Sequence, residues 1–288
     1  MELEQAPAPP EGAPAKRTGG RAGRDLRAAI GVGVGLGAAV LATLYGYRPA
    51  FLGVLAVAVC FGLYELVKAL QTIGRRVPLP PIWAGGVAML LLAYEAGAGA
   101  LLLALLLVIA AVAVWRLPAG ARGYLPDVSA AALAVTYVPF LAGFAALLLR
   151  SGDGASRVVT FIATVVCSDV GGYTAGVALG RHPMAPTVSP KKSWEGLAGS
   201  AVACAAGGAA LVNLLLDAPL WHGAVFGLAI VCSATIGDLG ESMIKRDLTV
   251  KDMGTLLPGH GGVMDRLDSL LPSAPVAWLV LAALVPVH

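Results

Sequence analysis

Long, nearly unbroken apolar runs constrain this chain more than any other feature. Each is about 20 residues, the length an α-helix needs to cross the hydrocarbon of a bilayer. On that ruler the sequence predicts nine membrane-spanning helices, over 28–47, 50–67, 80–96, 99–115, 128–149, 158–179, 196–216, 219–241 and 270–287. The third and ninth are short, and only Glu95 to Ala98 separate the third from the fourth. Composition agrees: of 288 residues 58% are hydrophobic and 13% charged, where a soluble domain carries about 25% charged. That excludes an ordinary cytosolic protein, a disordered chain and a nucleic-acid-binding domain. The net charge of +3 is too small to draw an anionic polymer. A membrane β-barrel would show short alternating strands, which these runs lack. The expected fold class is all-α, a polytopic integral membrane protein with about nine transmembrane helices.

The placement of basic residues tests that count. With nine spans, the N-terminus and the loops after spans two, four, six and eight share one side. Every Lys and Arg except Arg48, Arg150 and Arg157 falls there. By the positive-inside rule that side is cytoplasmic. Residues 1–24, rich in Pro, Ala, Gly and charge, are predicted to be a disordered basic arm. Residues 25–155 then form an N-terminal group of helices and 156–288 a C-terminal catalytic region. The run after the arm is longer than a signal-peptide core and is expected to be a membrane helix. It carries Gly31, Gly33, Gly35 and Gly37, spaced for close helix packing or simple small-residue filler. Cys60, Cys167, Cys204 and Cys232 lie inside apolar runs without C-x-x-C spacing, and are expected to be buried small hydrophobes rather than metal ligands.

Scarce charge makes each ionisable residue in the C-terminal half informative, because a bilayer tolerates such groups only when paired or functional. Asp169 lies deep in the sixth span. The loop after it reads Ser189-Pro190-Lys191-Lys192-Ser193-Trp194-Glu195-Gly196, predicting a turn at Ser189-Pro190 and two lysines near a helix start. That pattern suits an anion, although lysines snorkelling to the headgroups would look the same. In the next such segment Asp238, Ser242 and Lys245 are spaced i, i+4, i+7 and share one face if helical. Aspartate and serine oxygens suit a hard cation, with lysine for a phosphate it holds. Arg246, Lys251 and Asp252 follow, then Pro258-Gly259-His260-Gly261-Gly262, a turn that lets backbone N–H groups approach a ligand. Asp265, Arg266 and Asp268 close the segment. Carboxylates, cations and a glycine turn at a membrane surface point to phosphate chemistry with Mg²⁺, in which positioning and charge neutralisation do most of the work. No G-x-S-x-G elbow or P-loop is present. His260 can orient a phosphate, cap the loop or act as a base.

These residues resemble the phosphatidate cytidylyltransferase family. Its signature, S-x-aliphatic-K-R, then K-D-x-small, then x-H-G-G and D-R-x-D, is filled at every fixed position from Ser242 to Asp268. Ser189 to Ser193 resembles the family's S-P-K-K-[ST], and Asp169 to Tyr173 its D-[TS]-x-A-Y, with Val170 where a hydroxyl and Gly172 where alanine is usual. The resemblance covers about residues 165–270. It implies transfer of CMP from CTP to phosphatidate, giving CDP-diacylglycerol and pyrophosphate, dependent on Mg²⁺, with a second cation and a homodimer both compatible. It implies a multi-pass protein of the plasma (inner) membrane with N-terminus and active site cytoplasmic. By position Asp238 and Asp265 would hold metal, with Ser242 completing that site and Lys245 and Arg266 acting beside it in catalysis. Asp169, Ser189, Lys191, Lys192, Arg246, Lys251 and His260 would bind CTP or phosphatidate, and Asp268 would bind there or orient Arg266. Tyr173 and Trp194 fit an interfacial aromatic belt better than a substrate contact. A secondary transporter is the main competitor, disfavoured because the polar residues gather in two loops rather than at mid-membrane. A CTP-using lipid kinase is another, separable by its products.

Overall fold

A computed structural model of the chain describes residues 22–254 and 261–286, with backbone alone for 22–30 and 32. Residues 1–21 of the expected basic arm, and His260, lie outside the described residues. The elements are α1 (Ala22–Gly46), α2 (Arg48–Thr72), α3 (Leu79–Ala96), α4 (Ala98–Arg116), α5 (Tyr124–Val135), α6 (Leu141–Arg150), α7 (Gly154–Leu179), β1 (Pro183–Ala185), β2 (Ser189–Ser193), α8 (Trp194–Leu216), α9 (Leu220–Asp247), α10 (Met264–Leu267) and α11 (Leu270–Leu284). Among the described residues eight helical elements are long and apolar enough to cross a membrane. They stand where spans two to nine are predicted. α1 occupies the first predicted span, and its described stretch Gly33–Gly46 is a shorter apolar helix.

Local sequence explains several boundaries. Prolines sit in the first turn of α2 and α3, where a missing N–H costs nothing. Gly97 takes φ 87° between α3 and α4, a left-handed turn that lets two helices follow one another with no further linker. The span predicted over 128–149 is one continuous element, Tyr124–Arg150, in which Pro139 interrupts the hydrogen-bond ladder. The chain answers with a π-helical turn, Thr136–Phe140, between α5 and α6. This element is the most enclosed span, 61% buried, with α3, α4 and α11 packed about it.

A single apolar core runs from Leu44 to Val285 through Val59, Met89, Val138, Phe226 and Ile230. The outward faces are apolar too: Leu102, Leu106, Leu107, Val202 and Leu214 are exposed. On a soluble protein such a surface would be an anomaly, whereas in lipid it is the required one.

Helices α7, α8 and α9 approach most closely, and glycine makes this possible. A Cβ on Gly171 would strike Ala203 and the carbonyl of Gly199; one on Gly208 would meet Gly223, and one on Gly227 the carbonyl of Cys204. Small residues that let backbones touch are the usual basis of helix association in lipid, where apolar burial gives no drive. The glycine stripe of α1, by contrast, has nothing within 4 Å of Gly31, Gly33, Gly35 or Gly37, so the small-residue contact is made elsewhere in the chain. Of the cysteines only Cys204 is fully buried, and Cys232 is exposed on the apolar outer surface of α9.

Two polar fasteners mark the ends of the bundle. At one end the Arg116 guanidinium donates to Asp127 at 2.6 Å, both groups buried, and Asp127 also accepts from the Arg76 N–H at 2.8 Å. That joins the segments after α2 and α4. At the other end Arg157 pairs with Asp153 at 2.6 Å and donates to the carbonyls of Leu281 and Val285, capping the last turn of α11.

Candidate active site

The segment between α7 and α8 is a short antiparallel hairpin, with β1 pairing β2 from Pro183↔Ser193 to Ala185↔Ser189. The turn lies over residues 186–188, closed by the Val188 N–H on the carbonyl of Ala185 at 3.2 Å. Ser189-Pro190 opens β2 instead of turning. The proline there donates no ladder bond, which an edge strand tolerates. Glu195 in the first turn of α8 sews down the base of the hairpin. Its carboxylate accepts from the Arg181 and His182 N–H groups at 3.1 and 3.2 Å and meets His182 Nδ1 at 2.5 Å. Ser193 caps α8, its Oγ accepting from the Gly196 N–H at 3.1 Å.

Strand β2 thereby carries Lys191 and Lys192 over a cavity of about 300 Å³. Its walls include Ser168, Asp169 and Tyr173 of α7, Ser193 and Ser200 at the start of α8, and Thr235 and Asp238 of α9. Asp169 is exposed to this space despite its depth in the sequence run. Lys192 reaches across to Asp238, Nζ to Oδ2 at 2.5 Å. Arg246 holds the tip of the hairpin, its Nε donating to the Val188 carbonyl at 2.6 Å.

Further along α9 lies a second cluster. α9 stays helical through Asp247, so Asp238, Ser242 and Lys245 do fall on one face. Lys245 Nζ donates to Asp265 Oδ1 at 2.9 Å and lies 3.2 Å from Glu241 Oε1. Asp265 also accepts from the N–H groups of Met253, at 3.1 and 3.3 Å, and Gly262, at 3.1 Å. A carboxylate taking two backbone donors and an ammonium is held in one orientation. Glu241 is fully buried, and neither of its carboxylate oxygens accepts a well-formed hydrogen bond.

The structure thus brings together Asp169, Lys191, Lys192 and Asp238 at one cavity, and Lys245 with Asp265 beside it. Asp268 turns to its own neighbour, accepting from the Ser269 N–H at 2.7 Å. Ser189 starts β2, Ser242 shares the face of Asp238 and Lys245, Arg266 is exposed on α10, and Lys251 is exposed in the segment after α9. Glu241, like Asp238, is marked in sequence by its place near the end of the eighth span; one acid here, Glu65, is not. Glu65 sits on α2, far away in the chain, yet accepts from the Met264 N–H at 2.8 Å. An acid inside an apolar run was the available signal for it.

Fold and site together define a polytopic helical membrane protein in which Asp169, Lys191, Lys192 and Asp238 meet at one cavity. The cytidylyltransferase family model matches residues 27–284. A protein of Mycobacterium bovis called phosphatidate cytidylyltransferase is 42% identical over 277 residues, covering 92% of this chain and 90% of that protein. A Mycobacterium leprae protein of the same name is 41% identical over 287 residues, with 92% and 90% covered. One from Brucella suis is 42% identical over 145 residues, 49% of this chain and 54% of that protein. The chain belongs to the cytidylyltransferase family.

Proposed function

We propose that this protein is a phosphatidate cytidylyltransferase, which transfers CMP from CTP to phosphatidate and releases pyrophosphate. The observation that carries this reading, beside the family, is the meeting of Lys192 with Asp238 at a cavity walled by three apolar helices. An amphiphilic substrate needs such a place. Its acyl chains stay among the helices while its phosphate reaches polar groups at the bundle's end, and CTP arrives from water.

The reaction asks little covalent help of the protein. A phosphate oxygen of phosphatidate attacks the α-phosphorus of CTP, the new P–O bond forms, and the bond to pyrophosphate breaks with its electrons leaving on the pyrophosphate oxygen. The nucleophile is already anionic, so no strong base is required. Lys191 and Lys192 on the hairpin bind one substrate phosphate, and Lys245, Arg246, Lys251 and Arg266 neutralise the others. Ser189 and Asp169 shape the same site, and His260 orients a phosphate.

Mg²⁺ is the cation proposed for this site. Asp238, Asp265 and Ser242 offer hard oxygens, and among the described residues no three Asp, Glu, His or Cys side chains form a cage of their own. Mg²⁺ typically binds through one or two carboxylates and completes its shell with water and substrate phosphates. Bound there, it would neutralise charge on the phosphates. The excess of Lys and Arg on this side supports a cytoplasmic site in the plasma membrane.

The test is purified protein in detergent with labelled CTP, phosphatidate and Mg²⁺, with and without chelator. CDP-diacylglycerol and pyrophosphate, both lost with chelator and restored by Mg²⁺, are expected. A folded sample that forms neither overturns the reading.

A further inference from the structure

Glu65 is the one acid of α2, a mostly apolar helix whose other charged residues are Arg48 and Lys68, and it is 2% exposed. Its carboxylate does not serve its own helix. Oε2 accepts the Met264 N–H at 2.8 Å, across 199 residues of chain. Oε1 has no hydrogen-bond partner among the described residues. The carboxylate is clasped from two sides: a Cβ on Gly254 would run into Oε1, and one on Gly262 would lie 2.6 Å from Oε2 and 2.9 Å from Asp265 Oδ2. The Glu65 and Asp265 carboxylates therefore flank the same glycine. Between them they take the N–H groups of Met253, Gly262 and Met264. No larger residue fits at 254 or 262 with Glu65 in place.

We propose that Glu65 is a positioning residue of the active site: from the N-terminal half of the chain it anchors the Met264 N–H and so sets the orientation of Asp265, the next residue. Burying a carboxylate in an apolar helix is costly without partners, and simple packing would be served better by leucine. What a leucine cannot do is accept a backbone donor at the start of α10. Groups that orient a working carboxylate change turnover by about 10- to 100-fold without touching substrate.

The proposal rests on Asp265 taking part in the reaction proposed above, so one readout must be independent of activity. Glu65→Ala and Glu65→Gln are compared with wild type, as full-length protein in detergent. Gln keeps the acceptor for Met264 and nearly the same volume. Glu65→Ala is expected to lower kcat about tenfold or more with KM for CTP within about twofold, and Glu65→Gln to retain most of kcat. Hydrogen exchange at the Met264 amide is expected to accelerate in Glu65→Ala and stay protected in Glu65→Gln, with the amides of α7 and α8 unchanged in both. Wild-type kcat in Glu65→Ala, equal impairment of the two variants, or an equally protected Met264 amide in Glu65→Ala would each overturn the proposal. If wild type itself forms no product, the functional reading falls, and exchange at Met264 still decides the role of Glu65.

Discussion

Lys192 and Asp238 stand 46 positions apart in sequence, on a two-stranded hairpin and a membrane-spanning helix, and their charged atoms meet at 2.5 Å. The pair is partly open to water, with side chains 23% and 36% exposed. An exposed ion pair of this kind contributes about 0–1 kcal/mol to stability. Under the function proposed above, a substrate phosphate entering the cavity would displace this pair, with Lys192 turning to the ligand.

Lys192→Ala is therefore expected to act on binding and not on folding. KM for CTP or phosphatidate should rise about tenfold or more, with the melting temperature nearly unchanged. Steady-state kinetics with each substrate varied in turn identify which phosphate Lys192 holds. Lys191→Ala should show a smaller defect of the same kind, and unchanged kinetics in both would remove the hairpin from the site.

Asp238→Asn and Asp265→Asn should each lower turnover by about 100-fold or more, the scale of losing one electrostatic contact to a transition state. Asn at 265 keeps one oxygen for the Met253 and Gly262 N–H groups but turns its NH₂ toward Lys245, which retains Glu241, so the protein should elute as wild type with a small drop in melting temperature. Near-normal activity in both variants would sink the metal assignment.

The Arg116–Asp127 pair makes a different prediction, because it is buried. Asp127→Ala leaves the Arg116 charge enclosed without its partner and the Arg76 N–H without its acceptor. The expected loss of stability is about 3–5 kcal/mol, read as thermal unfolding in detergent. Replacing both residues with apolar ones of similar volume should recover much of it, because the unpaired charge causes the loss.

Gly227→Val should disrupt the α8–α9 contact, since even a Cβ there meets the carbonyl of Cys204. Overpacking costs about 1–3 kcal/mol in a core that can adjust, and backbone adjusts less than a side chain, so the loss should reach the top of that range. Gly35→Val, with open space around it, should leave the melting temperature unchanged. Equal effects at the two positions would contradict the packing described.

How much of this was legible in the sequence varies by element. Spans two to nine are visible in hydropathy, since each must meet lipid with an apolar face whatever it packs against. The i, i+4, i+7 spacing of Asp238, Ser242 and Lys245 is local, and α9 realises it. The role of Ser189-Pro190 was not legible. A Ser-Pro pair fits a turn by local propensity, and the strand forms because β1 and the base fastened by Glu195 hold it extended. Close packing could not be placed either. The glycines of α1 and those of α7, α8 and α9 look alike in sequence, and only the presence of a neighbouring helix separates them.

By itself the sequence determined that the chain is a bundle of membrane helices, and it singled out the ionisable residues of two loops as candidates for phosphate chemistry. These are properties of single segments, set by the cost of polar groups in hydrocarbon and by helical periodicity. The tertiary structure alone decided which side chains meet: Lys192 with Asp238, Lys245 with Asp265, and Glu65 with the backbone of Met264. Those contacts depend on how closely α7, α8 and α9 approach and on where α2 passes the start of α10. Both are set by packing between segments distant in the chain, which no local pattern encodes.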